Sequence, residues 1–259
     1  MTKLGILYVG IGRYITFWAD FYKTCEQYFC PQIPKRYYLV TDAVMEVPDN
    51  VTIVPQDDLG WPCNVVFRYL FFLRIKEQLR DFDYVFFFNG NTRFRTVITP
   101  DEFFPTESDG GLLALTWKDG TEDADEDYLF ERRRQSEAYI PYGTRSLYLQ
   151  SGITGGLTAH YIAMLEECHQ LTMADFGKGI IPRYQDESVY NRYMQGRKCK
   201  LVDSTYGRPE HRDKRHTAKI VFATKEKVLG RSYMRHFKKR GHSDTWLRKL
   251  LKKMGLISA

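Results

Sequence analysis

Apolar and polar positions alternate along the chain in a way that marks out strands and helices in turn. Leu4 to Val9 is an apolar run of strand length, and Ile15 to Phe29 places apolar and aromatic residues at helical spacing. Tyr37 to Val40 and Val51 to Val54 read as strands, and Asn64 to Leu79 as a helix. Tyr84 to Phe88 is apolar throughout, the pattern of a strand covered on both faces. This βαββαβ order predicts an α/β sandwich around a largely parallel sheet. Ligands of such sheets bind beyond the carboxyl ends of the strands, and Val9 to Tyr14 and Asn89 to Asn91 stand at two of those ends.

The second half is less regular. Leu147 to Thr154 reads as a strand, Gly155 to Thr158 as a break and Ala159 to Met173 as an amphipathic helix. The acidic segment from Asp119 to Tyr128 reads as a loop. After Gly241, Trp246, Leu247, Leu250, Leu251 and Met254 fall on one helical face, with Arg248, Lys249, Lys252 and Lys253 elsewhere. That is a basic amphipathic helix, which lies on an anionic membrane or packs on the protein itself.

With 259 residues and 43% apolar content, the chain can bury a sizeable core, so one domain plus an appendage is expected. Lys and Arg exceed Asp and Glu by 38 to 32, and more than half of the basic residues follow Arg183. Such a field suits phosphate, anionic lipid headgroups or nucleic acid; nothing beyond tail charge favours the last, so no nucleic-acid partner is expected. Five scattered cysteines without a Cys-x-x-Cys pair predict reduced thiols rather than a disulfide framework or a zinc site. The N-terminus reads as a first strand rather than a signal peptide, and no apolar run reaches the length of a membrane span. A cytoplasmic protein, peripheral on the inner face of the cytoplasmic membrane through its tail, is the resulting expectation.

Two short segments carry chemistry. G10-I-G-R-Y14 is a glycine turn that lets backbone approach a ligand, with Tyr14 able to stack on a base; it is equally a simple reversal of the chain. In I181-P-R-Y-Q-D-E-S188, Asp186 and Glu187 suit a sugar carbon and its hydroxyls, and also suit the N-terminus of a helix.

Together with W61-P, Arg68, D83-Y-V-F-F-F-N-G-N91, F130-E-R-R-R-Q-S-E-A-Y-I-P141 and L147-Y-L-Q-S-G-I-T-G-G156, these segments resemble glycosyltransferase family 6, the family of the ABO blood-group transferases and their bacterial Asn-x-Asn relatives. The resemblance spans roughly residues 3 to 227 and leaves 228 to 259 as a separate tail. It implies a GT-A fold, a Rossmann-like α/β/α sandwich with a mostly parallel central sheet. It also implies a retaining α-1,3 transfer of galactose or N-acetylgalactosamine from the UDP-sugar; the basic tail, outside the resemblance, adds the expectation of a galactose-containing, lipid-linked oligosaccharide acceptor. Val9, Ile11 and Tyr14 would hold uridine, Arg68 would reach the diphosphate and sugar, and Asp186 would bind the donor sugar. Glu187 would lie beneath the anomeric carbon, as nucleophile or as stabiliser of an oxocarbenium-like state. Gln150, Ser151 and Gly152 align with the positions that sort the two sugars; small Ser151 and Gly152 leave room for an acetamido group. Phe130, Tyr184 and Gln185 would meet the acceptor.

Asn89 and Asn91 replace the Asp-x-Asp pair that binds manganese in mammalian members. Neutral amides are poor partners for a divalent cation, so a metal-free reaction with no cofactor is expected, the leaving charge being met by Lys225 or Lys227 with Arg68 and Arg231. A fucosylated galactose acceptor is not implied, because the relatives' acceptor segment is replaced around T116-W-K-D-G120. A non-catalytic sugar-binding module derived from such a transferase, or a UDP-sugar hydrolase, are the competing readings.

Overall fold

The computed structural model describes residues 2–116, 129–144 and 146–234. The acidic segment from Asp119 to Tyr128, the Trp117 to Gly120 stretch and the amphipathic pattern after Gly241 lie outside the described residues.

Seven strands form the main sheet in the order β3-β2-β1-β4-β7-β6-β8. They are β1 (Leu4–Val9), β2 (Lys35–Thr41), β3 (Val51–Pro55), β4 (Tyr84–Phe88), β6 (Leu112–Thr116), β7 (Leu149–Leu157) and β8 (Lys200–Val202). Pairings among β3, β2, β1 and β4 are parallel, as is β6 with β8; β7 alone runs antiparallel, between β4 and β6. This is the mostly parallel, GT-A-like arrangement anticipated above. Successive strand residues face opposite ways, which divides the core in two. Leu4, Ile6, Tyr8, Phe86 and Phe88 meet α1 (Trp18–Tyr28) through Trp18, Phe21 and Cys25. Leu7, Val85 and Phe87 face the opposite layer, which includes α6 (Thr158–Gly177) and α7 (Gln185–Met194).

The strands Leu4–Val9 and Tyr84–Phe88 match the sequence reading residue for residue. The expected helix from Asn64 to Leu79 is instead three short helices, α2 (Cys63–Val66), α3 (Arg68–Leu73) and α4 (Lys76–Leu79), with the backbone leaving helical geometry at Phe67 and Ile75. Valine, phenylalanine and tyrosine crowd this stretch; their helix propensity is low, and its path follows the burial of Val66, Phe67, Tyr69, Phe71 and Phe72. Nor is there a break at Gly155, since β7 continues to Leu157. A Cβ on Gly155 would sit 2.1 Å from the Phe86 ring, so the glycine provides clearance for the ring of the neighbouring strand rather than ending the element.

A second sheet of β5 (Thr92–Phe94), β10 (Ile220–Phe222) and β9 (Arg208–Pro209) brings the last part of the described chain back to the end of β4. The remaining helices are α5 (Pro100–Phe103) and α8 (Lys225–Leu229). The latter spans residue 227, and Leu229 and Met234 pack with Phe17 and Ala223. All five cysteines are free thiols, four of them buried. No helix among the described residues is long and apolar enough to cross a membrane.

Candidate active site

A cavity of about 550 Å³ opens at the carboxyl ends of β1 and β4. Because β7 is antiparallel, its N-terminal half reaches the same edge, with Ile153 paired to Phe88. This places Gln150, Ser151 and Gly152 beside Asn89, whose N–H donates to the Gly152 carbonyl at 2.7 Å. From the end of β1 and the turn after it come Val9, Ile11 and Tyr14, from the start of α3 Arg68, from the first turn of α7 Gln185, Asp186 and Glu187, and from the start of α8 Lys225.

Glu187 is held from two sides. The Tyr148 hydroxyl donates to Oε1 at 2.6 Å, while the Ser151 N–H donates to Oε2 at 2.9 Å and its hydroxyl at 3.3 Å. Burial raises the Glu187 pKa, against the pull of these donors. Asp186 Oδ2 lies 2.8 Å from Arg68 Nη1 in a buried ion pair. Arg68 also lies over the Phe87 ring, 4.4 Å from its centroid. Burial works to lower the Arg68 pKa, and the Asp186 carboxylate together with Tyr69 and Tyr161 more than reverses it, so the guanidinium stays charged.

Three residues of the cavity wall carry buried polar atoms without a hydrogen-bond partner, namely Arg68 Nη2, Asn91 Oδ1 and Thr224 Oγ1. A donor cation, an acceptor and a hydroxyl are therefore available to a polar ligand. Lys225 joins them, its ammonium 5.3 Å from the centre of the Tyr14 ring, and burial lowers its pKa. Tyr14 is shifted the other way, pushed up to about 12 by burial and by Glu226.

The asparagines have distinct roles. Asn89 Oδ1 accepts from the Gly90 N–H at 3.0 Å, shaping the turn. Asn91 Nδ2 donates to the Ala223 carbonyl at 2.7 Å, and the Ala223 N–H returns a bond to the Asn91 carbonyl at 2.8 Å. An aspartate at 91 would present oxygen to that carbonyl. Both strand-end side chains are neutral amides; the Asn91 nitrogen is engaged while its Oδ1 keeps no partner. Among the described residues, no group of three His, Cys, Asp or Glu side chains could hold a metal ion.

Several expected contacts lie elsewhere. Phe130 is only 1% exposed and packs with Ile140 and Tyr148, its ring centroid 5.3 Å from that of Tyr148; it supports the tyrosine that holds Glu187 and is not placed to meet an acceptor. Lys227 and Arg231 are exposed and outside the cavity wall. Residues two apart on a helix point to nearly opposite sides, so α8 can present Lys225 or Lys227 but not both. Tyr184 lies under the Arg183 guanidinium and also stays outside the wall. The room expected at Gly152 is taken by Phe222: a Cβ there would approach its ring to 2.9 Å. Sequence reasoning missed Phe222, Tyr148, Asn64, His211 and Tyr233. Tyr148 had a legible signal in its place just ahead of Gln150, but its contact with Glu187 spans 39 positions.

A family model for glycosyltransferase family 6 matches residues 72–231. The chain is 31% identical over 227 residues to the O-antigen biosynthesis glycosyltransferase WbnI of Escherichia coli, covering 86% of this chain and 95% of that protein. It is 26% identical over 214 residues to globoside alpha-1,3-N-acetylgalactosaminyltransferase 1 of Gallus gallus and 25% identical over 203 residues to histo-blood group ABO system transferase 2 of Rattus norvegicus. Those matches cover 78% and 74% of this chain but 61% and 59% of the two vertebrate proteins, so the chain spans about three fifths of their length. Fold, cavity and relatives define a glycosyltransferase, an enzyme that takes a sugar-nucleotide donor and a glycan acceptor. The chain belongs to glycosyltransferase family 6.

Proposed function

We propose that this enzyme transfers galactose or N-acetylgalactosamine from its UDP-sugar, in α-1,3 linkage and with retention, to a galactose-containing, lipid-linked oligosaccharide, and that it does so without a metal ion. The observation that carries this reading is the pairing in one cavity of a doubly held carboxylate, Glu187, with a buried guanidinium, Arg68, that keeps one nitrogen unpartnered.

In this reading, Glu187 faces the anomeric carbon and meets the positive charge that develops as the bond to the UDP oxygen breaks. Tyr148 and Ser151 fix the carboxylate, and their donation opposes the rise in pKa that burial causes. Arg68 and Lys225 stabilise the departing diphosphate, a role in which preorganised cations act most strongly when water is excluded. The acceptor oxygen forms the new bond either on the face the diphosphate leaves, its proton passing to a phosphate oxygen, or by displacing a sugar ester of Glu187. A globoside α-1,3-N-acetylgalactosaminyltransferase and an O-antigen transferase among the relatives favour this reaction class and a surface-glycan acceptor. Placement on the inner face of the cytoplasmic membrane, through the basic tail, belongs to the same proposal.

The test is incubation with UDP-galactose and UDP-N-acetylgalactosamine, with and without fucosylated and unfucosylated galactosides, in excess EDTA. Expected are acceptor-dependent UDP release and an α-1,3-linked product. UDP release indifferent to acceptor would identify a hydrolase, and binding without turnover a sugar-binding module. A loss in EDTA restored by manganese would contradict the metal-free reaction.

A further inference from the structure

A second cavity, of about 530 Å³, adjoins the first and shares Trp61 and Gln185 with it. Its wall brings together three guanidinium groups, Arg132, Arg133 and Arg183, against one carboxylate, Glu131. That carboxylate is fully engaged within the fold. Its Oε1 accepts from the Arg133 main-chain N–H and Nε, both at 2.9 Å, and its Oε2 from Arg133 Nη2 and the Arg183 main-chain N–H, both at 2.7 Å. Glu131 thus neutralises Arg133 and fixes the Arg183 backbone. The Arg183 side chain is exposed over the Tyr184 ring, and no carboxylate among the described residues pairs with it. Between the two cavities, Gln185 holds φ at +47°, a conformation unfavourable for a residue with a Cβ and retained where the surroundings enforce it.

We propose that the second cavity is an acceptor subsite for an anionic substituent, a carboxylate or phosphate carried by the acceptor glycan, and that Arg183 recognises its charge. The inference rests on the transferase reading above. Because the two cavities share Trp61 and Gln185, a glycan whose reacting sugar lies in the first can extend into the second. A guanidinium suits the two oxygens of either anion, and a pair of this kind formed at a half-open site strengthens binding and sets specificity.

The test compares a neutral galactoside, the same galactoside joined to a hexuronic acid, and a phosphorylated galactoside. KM for at least one acidic acceptor is expected to lie about tenfold below that of the neutral one, with the advantage shrinking as salt rises. In Arg183→Gln the KM values converge, whereas Arg183→Lys keeps part of the difference, which separates charge recognition from loss of folding. Whichever acid is preferred identifies the anion. Equilibrium binding of the same compounds to the UDP-loaded protein reads the preference even without sugar transfer, so failure of the transferase reading and failure of the subsite register separately. Equal binding of neutral and acidic compounds, or a preference that persists in Arg183→Gln, would overturn the proposal.

Discussion

The Tyr148 hydroxyl donates to Glu187 Oε1 across 2.6 Å, joining the residue just ahead of β7 to the first turn of α7. Burial has already raised the Glu187 pKa, and this bond is one of the donations that oppose the shift. Tyr148→Phe removes it while keeping the ring that Phe130 supports. A hydrogen bond to a charged group is worth about 1.5–3 kcal/mol, so kcat should fall roughly 10- to 100-fold, and the acidic limb of the pH–rate profile should move upward.

Glu187→Gln keeps the shape of the side chain and removes its charge. Transfer should fall by at least about 10³-fold, comparable with losing a principal electrostatic stabiliser, while UDP binding measured by calorimetry stays close to wild type. Turnover resembling wild type would remove Glu187 from the reaction.

The pH dependence follows from two opposite shifts. Glu187 must be ionised, and its pKa is raised from the ordinary 4.5, so activity is lost as pH falls through a value above 4.5. Lys225 must be charged, and burial lowers its pKa from the ordinary 10.5, so activity is lost as pH rises through a value below 10.5. Bound diphosphate favours the charged ammonium, so the alkaline limb should lie higher in kcat than in kcat/KM. Lys225→Ala should erase that limb and cost roughly 10²-fold in kcat/KM, whereas exposed Lys227→Ala should change it less than about twofold. The shift of Glu187 also bears on stability. Its folded-state pKa lies above the unfolded value, so the associated stabilisation is present at low pH and is lost as pH rises through the folded value.

At the strand end, Asn91→Asp replaces the amide that donates to the Ala223 carbonyl. The carbonyl loses a buried donor and faces a carboxylate instead, a change worth about 1–3 kcal/mol of stability. A lowered Tm that manganese does not restore is the expected result.

Gly152→Ala sets a methyl group 2.9 Å from the Phe222 ring, which lines the cavity. The ring must shift, so KM for the donor should rise with little change in Tm if it moves into the cavity. Comparing KM for the two UDP-sugars then shows which of them uses that space.

Much of the sheet was legible in the sequence because strands buried on both faces leave uninterrupted apolar runs, as Tyr84–Phe88 does. The helical stretch after Asn64 was not, because its aromatic and β-branched residues satisfy a helical pattern while tertiary burial dictates the actual path. Within the site, residues in contiguous motifs, such as Asp186 and Glu187, line one cavity. Contacts such as Asn91 with Ala223 or Tyr148 with Glu187 depend on how distant segments meet, which no local spacing records. Lys225 and Lys227 look alike in sequence, and only the orientation of α8 tells them apart.

The bonds between Asn91 and Ala223 join groups 132 residues apart. On the ribosome, the end of β4 therefore emerges roughly 10 s before the segment that walls it, at synthesis rates of about 5–20 residues per second. An unfinished polypeptide has the floor of the cavity without its side. A chain that stops before Ala223 lacks Ala223, Thr224 and Lys225 from the cavity wall, and is expected to be inactive.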